Sequence, residues 1–164
     1  MKKAVFLVFV FLVSACSISP EKDNPVTEIK PALTDELKQQ RELVVGTWYS
    51  NQNTDNGGSR EEIARYARDG KYRLDFKHTK SDGSIEYSRE VGYWGVSGNI
   101  FFSIFVGQIV DGKLYQANPE DAYNDDAYKI DELNKESFIY EHVHTGNHFK
   151  SIRVKDDFKF NDVI

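Results

Sequence analysis

The chain has 164 residues, with 21 basic and 26 acidic side chains and a formal net charge of −5. That length suits one domain, and an acidic chain without a basic run argues against nucleic acid or an anionic lipid surface as a main partner. Aromatic residues make up 13% of the chain, enough to build a core and to exclude disorder throughout.

Met1-Lys2-Lys3 is a short basic start, Ala4 to Val13 is unbroken apolar sequence, and the small residues Ser14 and Ala15 precede Cys16, the only cysteine. The apolar run is too short for the ~20 residues of a spanning helix but fits the ~7–15 of a signal-peptide core. Residues 1–15 therefore read as a signal peptide. Its removal takes Lys2 and Lys3 and leaves 19 of the 21 basic side chains against 26 acidic ones, a balance of −7. Val13-Ser14-Ala15-Cys16 resembles the bacterial lipobox. The resemblance implies that Cys16 is lipidated, palmitate being one such acyl chain, and becomes the new amino terminus. Because Ser17 and not Asp follows it, the resemblance further implies a lipoprotein anchored in the outer membrane and facing the periplasm. Without a second cysteine no intramolecular disulfide supports the fold.

Residues 16–33 read as the lipidated cysteine and a flexible tether. Pro20, Pro25 and Pro31 interrupt a polar stretch with little to bury, and about 15 such residues reach roughly 20 Å. Thr34 or Asp35 is placed to cap a short helix through about Leu43, with Leu33, Leu37 and Val44 at rough helical spacing. From Leu43 the period changes to two. Lys71-Tyr72-Arg73-Leu74-Asp75-Phe76-Lys77-His78 alternates charge with ring or aliphatic chain, the mark of a strand with one wet face.

Turn signals at Asp69-Gly70, Asp82-Gly83, Ser97-Gly98-Asn99, Asp111-Gly112, Asn134-Lys135 and Thr145-Gly146-Asn147 divide the chain into about eight strands. These are 43–50, 60–68, 71–79, 84–96, 99–110, 122–133, 136–144 and 148–155. Strands joined head to tail, with no helix long enough to cover a sheet, predict an all-β fold: an antiparallel up-and-down barrel that removes both sheet edges. The barrel domain is expected over 34–158, with a tail at 159–164. Outward Lys71, Arg73, Asp75 and Lys77 exclude a membrane-spanning barrel, and the short turns argue against an immunoglobulin-like sandwich.

Gly46-x-Trp48, opening the first strand after a short helix, resembles the signature of the lipocalins and the wider calycin group. The resemblance implies a lipocalin-like barrel whose floor is closed by Trp48 stacked with Arg153 of the last strand. It also implies a small apolar or amphipathic ligand in the interior, bound without chemical change. Eight strands leave room for side chains or for one small ligand, so a core filled by aromatics is the competing expectation.

The candidates to line a ligand site are Tyr72, Leu74, Phe76 and His78, with Tyr87, Val91 and Tyr93 or else Trp94 and Val96 from the next strand. The strand after that offers Phe101 and Phe105 or else Phe102 and Ile104. His142, His144 and His148 would converge on a metal only if 145–147 forms a three-residue loop; no metal or other cofactor is expected. Glu120 to Asp126 lacks the spacing of a calcium loop, and no nucleophile elbow, zinc-protease helix or phosphate loop marks an enzyme. The uncharged strand 99–110 is apolar on both faces. Either the 33–43 segment covers its outer side or a protein partner does, as in a periplasmic partner subunit of an envelope sensor with a filled barrel.

Overall fold

The structure is a computed structural model that describes residues 34–161. The expected signal peptide, Cys16, the expected tether through residue 33 and the last three residues lie outside the described residues.

Helix α1 spans Asp35–Val44. Thr34 caps it, its hydroxyl accepting from the Leu37 amide at 3.3 Å, and Asp35 and Glu36 in the first turn and Arg41 in the last complement the helix dipole. The strands that follow are β1 (Gly46–Asn53), β2 (Ser59–Tyr66), β3 (Lys71–Thr79), β4 (Ile85–Ser97) and β5 (Ile100–Val110). Then come β6 (Lys113–Gln116), β7 (Asp125–Leu133), β8 (Ser137–His142) and β9 (His148–Val154). Because the helix runs through Val44, β1 starts at Gly46 and not at 43. The expected strand from 122 starts at Asp125, since Ala122–Asn124 is a 3-10 turn capped by the Asp121 carboxylate.

All pairings are antiparallel, and two ladders close the sheet. Trp48 pairs with Arg153 between β1 and β9, and Val96 with Phe101 between β4 and β5. Eight strands, β1–β5 and β7–β9, thus form a closed up-and-down barrel, the architecture of the lipocalins. Strand β6, which the turn pattern did not reveal, is a short ribbon on the far end of β5.

The barrel has a packed end and an open end. At the packed end Val44, Trp48, Trp94, Phe101 and Phe138 are buried. Phe101 meets Phe138 and Tyr66 edge to face, with ring centres 5.3 and 5.4 Å apart, a preferred aromatic geometry. Helix α1 seals this end: the Trp48 indole donates to the Val44 carbonyl at 2.8 Å, and the Arg41 guanidinium lies 4.5 Å from the Trp94 ring centre. The helix therefore does not cover the outer side of β5, where Phe102 and Ile104 remain 37% and 40% exposed.

On the outer wall of β2 and β3 the segment that follows β9 docks. Phe158 is buried there and meets Tyr49 at 5.2 Å. Arg65 donates to the Phe158 carbonyl at 3.1 Å.

Candidate functional site

The floor of the barrel is held by one side chain. Arg153 sits 4.2 Å from the Trp48 ring centre and donates to the carbonyls of Val45 (2.9 Å) and Lys135 (2.7 Å), and also to that of Leu43. These carbonyls belong to the end of α1, the residue that links it to β1, and the β7–β8 turn. Gly46 makes the approach possible. At φ +132° it occupies a region that favours glycine, and a Cβ there would overlap the Arg153 guanidinium.

Above this floor an interior cavity of about 210 Å³ opens toward the other end. It equals about seven waters of liquid volume, room for one small molecule. Leu74, Phe76, Phe101, Phe105 and Phe149 supply apolar wall, while Tyr66, Tyr72, Tyr128 and Tyr140 add phenol groups. Four charged side chains also face inward: Arg60, Glu62, Glu90 and Asp126. The strand ladders place them there. Glu62 is opposite Phe76, and Glu90 opposite Leu74, so each carboxylate shares the inward face of its apolar partner.

Their electrostatics follow from enclosure. Burial pushes the Glu62 carboxyl above its usual range; Arg60 opposes the shift and Glu90 adds to it. Glu90 is raised too, again by burial first, with Arg60 and a hydrogen bond from Gln108 opposing. Burial holds the phenols of Tyr66 and Tyr140 well above their usual value. Arg60 reaches Glu62 at 3.4 Å and lies 4.3 Å from the Phe76 ring centre. Its Nε is buried and, among the described residues, has no hydrogen-bond partner. Asp126 accepts from the Tyr128 hydroxyl at 3.3 Å and meets His142 Nε2 at 3.0 Å.

Of the residues singled out in the sequence, Tyr72, Leu74, Phe76, Phe101 and Phe105 line this cavity. His78 continues the same face past it and packs near Phe76, ring centres 5.9 Å apart. Tyr87 and Tyr93 do not face the interior. They stand on the outer wall, 65% and 49% exposed, because the β3–β4 register puts Ser88, Glu90 and Gly92 opposite the inward Phe76, Leu74 and Tyr72. Trp94, on the inward face, is buried, as is Phe101.

The three histidines do not converge. Strand β8 ends at His142, and the ladder sets Glu141 opposite His148, so a longer loop replaces the three-residue turn that convergence required. His142 faces inward to Asp126 and also meets Thr145 Oγ1 at 2.8 Å. His144 is exposed in the loop. His148 lies on the opposite face, 3.7 Å from Asp131. Donor atoms of Asp131, Glu141 and His148 fall within 4.8 Å of one another, but the Lys129 ammonium already contacts Asp131 at 3.4 Å.

A second, wider cleft of about 660 Å³ lies outside the barrel, between its wall and the docked segment Asp156 to Phe160. Beneath it Asp75 accepts from Arg65 (2.6 Å), Arg73 (3.0 Å) and Arg89. The guanidinium groups crowd one another: burial first, then Arg73 and Arg89, lower the pKa of Arg65, against the pull of Asp75.

Sequence reasoning missed Arg60, Glu62, Glu90 and Asp126 because charge in a strand was read as solvent-facing. The available signal was Glu62-x-Ala64-x-Tyr66, a two-residue period that ties Glu62 to the face of a buried tyrosine.

No protein-family model matches the sequence, and no curated protein does. Among solved structures, a lipocalin-like protein from Bacteroides uniformis is similar at 17% identity with a TM-score of 0.43, the match covering 68% of this chain and 99% of that one. An uncharacterized protein from Bacteroides eggerthii is similar at 14% identity with a TM-score of 0.39, over 67% of this chain and 98% of that one. The closing β1–β9 and β4–β5 ladders of this chain establish the barrel by themselves.

Proposed function

We propose that the chain is a lipid-anchored binding protein whose barrel takes one small amphipathic molecule through its open end and leaves it chemically unchanged. The observation that carries this reading is the interior cavity, in which Arg60 has a buried N–H without a partner among the described residues. A buried donor left unmade is costly, about 1–3 kcal/mol, and a bound molecule with an acceptor would remove that cost. The apolar wall from Leu74 to Phe149 would hold its body. The lipobox supports attachment through Cys16 to the outer membrane on its periplasmic side. The test is native mass spectrometry of the protein purified gently from its own host. A small retained mass that disappears on Ser103→Trp, which fills the cavity, is expected. The same adducts on both proteins, or none on the wild type, would defeat the reading.

A second reading rests on the outer wall. Tyr93, Phe102 and Ile104 form an exposed apolar surface across β4 and β5, which favours a protein partner seated there. A defined complex lost on Phe102→Glu, with the small-molecule adduct unchanged, would favour it.

A further inference from the structure

The barrel interior holds more negative than positive charge, and Glu62 in particular is held away from bulk water. Glu62 and Glu90 share a single guanidinium, that of Arg60, whose contact with Glu62 is long at 3.4 Å. Asp126 has its own partner in His142 at 3.0 Å. Among the described residues one carboxyl of the Glu62–Glu90 pair is therefore left without a counter-charge of its own, so enclosure makes ionising it costly and a cation beside it would offset that cost.

The walls add a second preference. Tyr66, Tyr72, Phe76, Tyr128, Tyr140 and Phe149 surround the cavity, and the faces of aromatic rings attract cations. Arg60 already exploits one such face, that of Phe76. An anionic head, such as a fatty-acid carboxylate, would meet Glu62 and Glu90 and add to their repulsion. A neutral head would leave the surplus carboxylate as it stands. A protonated amine both neutralises it and lies against rings.

We propose that the ligand is a small organic ammonium: a protonated amine whose N–H groups donate to Glu62 and Glu90 and whose apolar body lies along Phe101 and Phe105. This rests on the reading of the barrel interior as a binding site and names the charge class that the site selects. An oxygen acceptor on the same molecule would also satisfy the free Nε of Arg60.

Calorimetry of the full chain at pH 7 and low salt, with 2-phenylethylamine, 2-phenylethanol and phenylacetate, tests the charge class at nearly constant size. The amine should bind at least tenfold tighter than the alcohol, and phenylacetate most weakly. Ser103→Trp should abolish all binding. Glu62→Gln should bring the amine to within about threefold of the alcohol; Glu90→Gln serves if that variant does not fold, and the wild-type ranking decides if neither does. Alcohol or phenylacetate binding as tightly as the amine would overturn the ammonium class yet keep the cavity reading. An amine preference that survives in a folded glutamine variant would overturn the role of these carboxylates. Failure of all three probes to bind would overturn both the class and the cavity reading.

Discussion

Arg153 and Trp48 face each other across the β1–β9 ladder, and the guanidinium lies 4.2 Å from the indole centre. The pair joins the last strand to the first, so the contact that stacks these two side chains is also the seam of the barrel. A cation over an indole is worth about 0.5–2 kcal/mol. The hydrogen bonds from Arg153 to three backbone carbonyls tie helix, first strand and β7–β8 turn to that seam.

Gly46→Ala should therefore destabilise the barrel by about 1–3 kcal/mol, the cost of a strained backbone position, with further loss from displacing Arg153. Arg153→Lys keeps the charge but loses the planar fork, and should also lower the midpoint of urea unfolding. If Gly46→Ala unfolds at the wild-type urea concentration, the close approach is not a constraint.

Glu62 makes stability depend on pH in an uncommon direction for a carboxylate. Its folded pKa is raised, so the folded protein holds a proton that the unfolded chain releases. The sign follows: Glu62 contributes most below its unfolded value near ~4.3, and that contribution is lost as pH rises through the folded pKa. Glu62→Gln should match the wild type at pH 4 and become the more stable of the two as pH rises toward 8. Thermal melts across that range check it, and a gap that narrows with rising pH would contradict the buried-carboxylate account.

Asp75 is the hub of the outer wall, where three arginines meet one carboxylate. Asp75→Asn leaves their repulsion uncompensated. A loss of about 1–3 kcal/mol is expected, below the 3–5 of a fully buried pair because the arginines are partly solvated. The deficit should shrink in 1 M salt, where screening is strong. Equal melting of variant and wild type at low salt would show that the cluster contributes nothing net.

Cys16→Ser should release the protein from the membrane fraction into the soluble periplasm. Continued sedimentation with membranes would refute the lipid anchor.

What the sequence determined by itself was local. The faultless alternation from Lys71 to His78, most of the glycine turns and a cap at Thr34 or Asp35 each report on neighbours a few residues away, and they read into β3, the hairpins and α1. Meander order followed from those turns, and closure from the need to cover two edges. What only the tertiary structure decided was which face of each strand looks inward. The β4 register turned Tyr87 and Tyr93 out and Glu90 in; the β8–β9 register parted His142 from His148. A charged residue in a strand has the same local pattern whether it meets solvent or a closed interior. Only the pairing register between strands, where a slip of one residue reverses the face, turned the barrel from an apolar container into one lined with carboxylates.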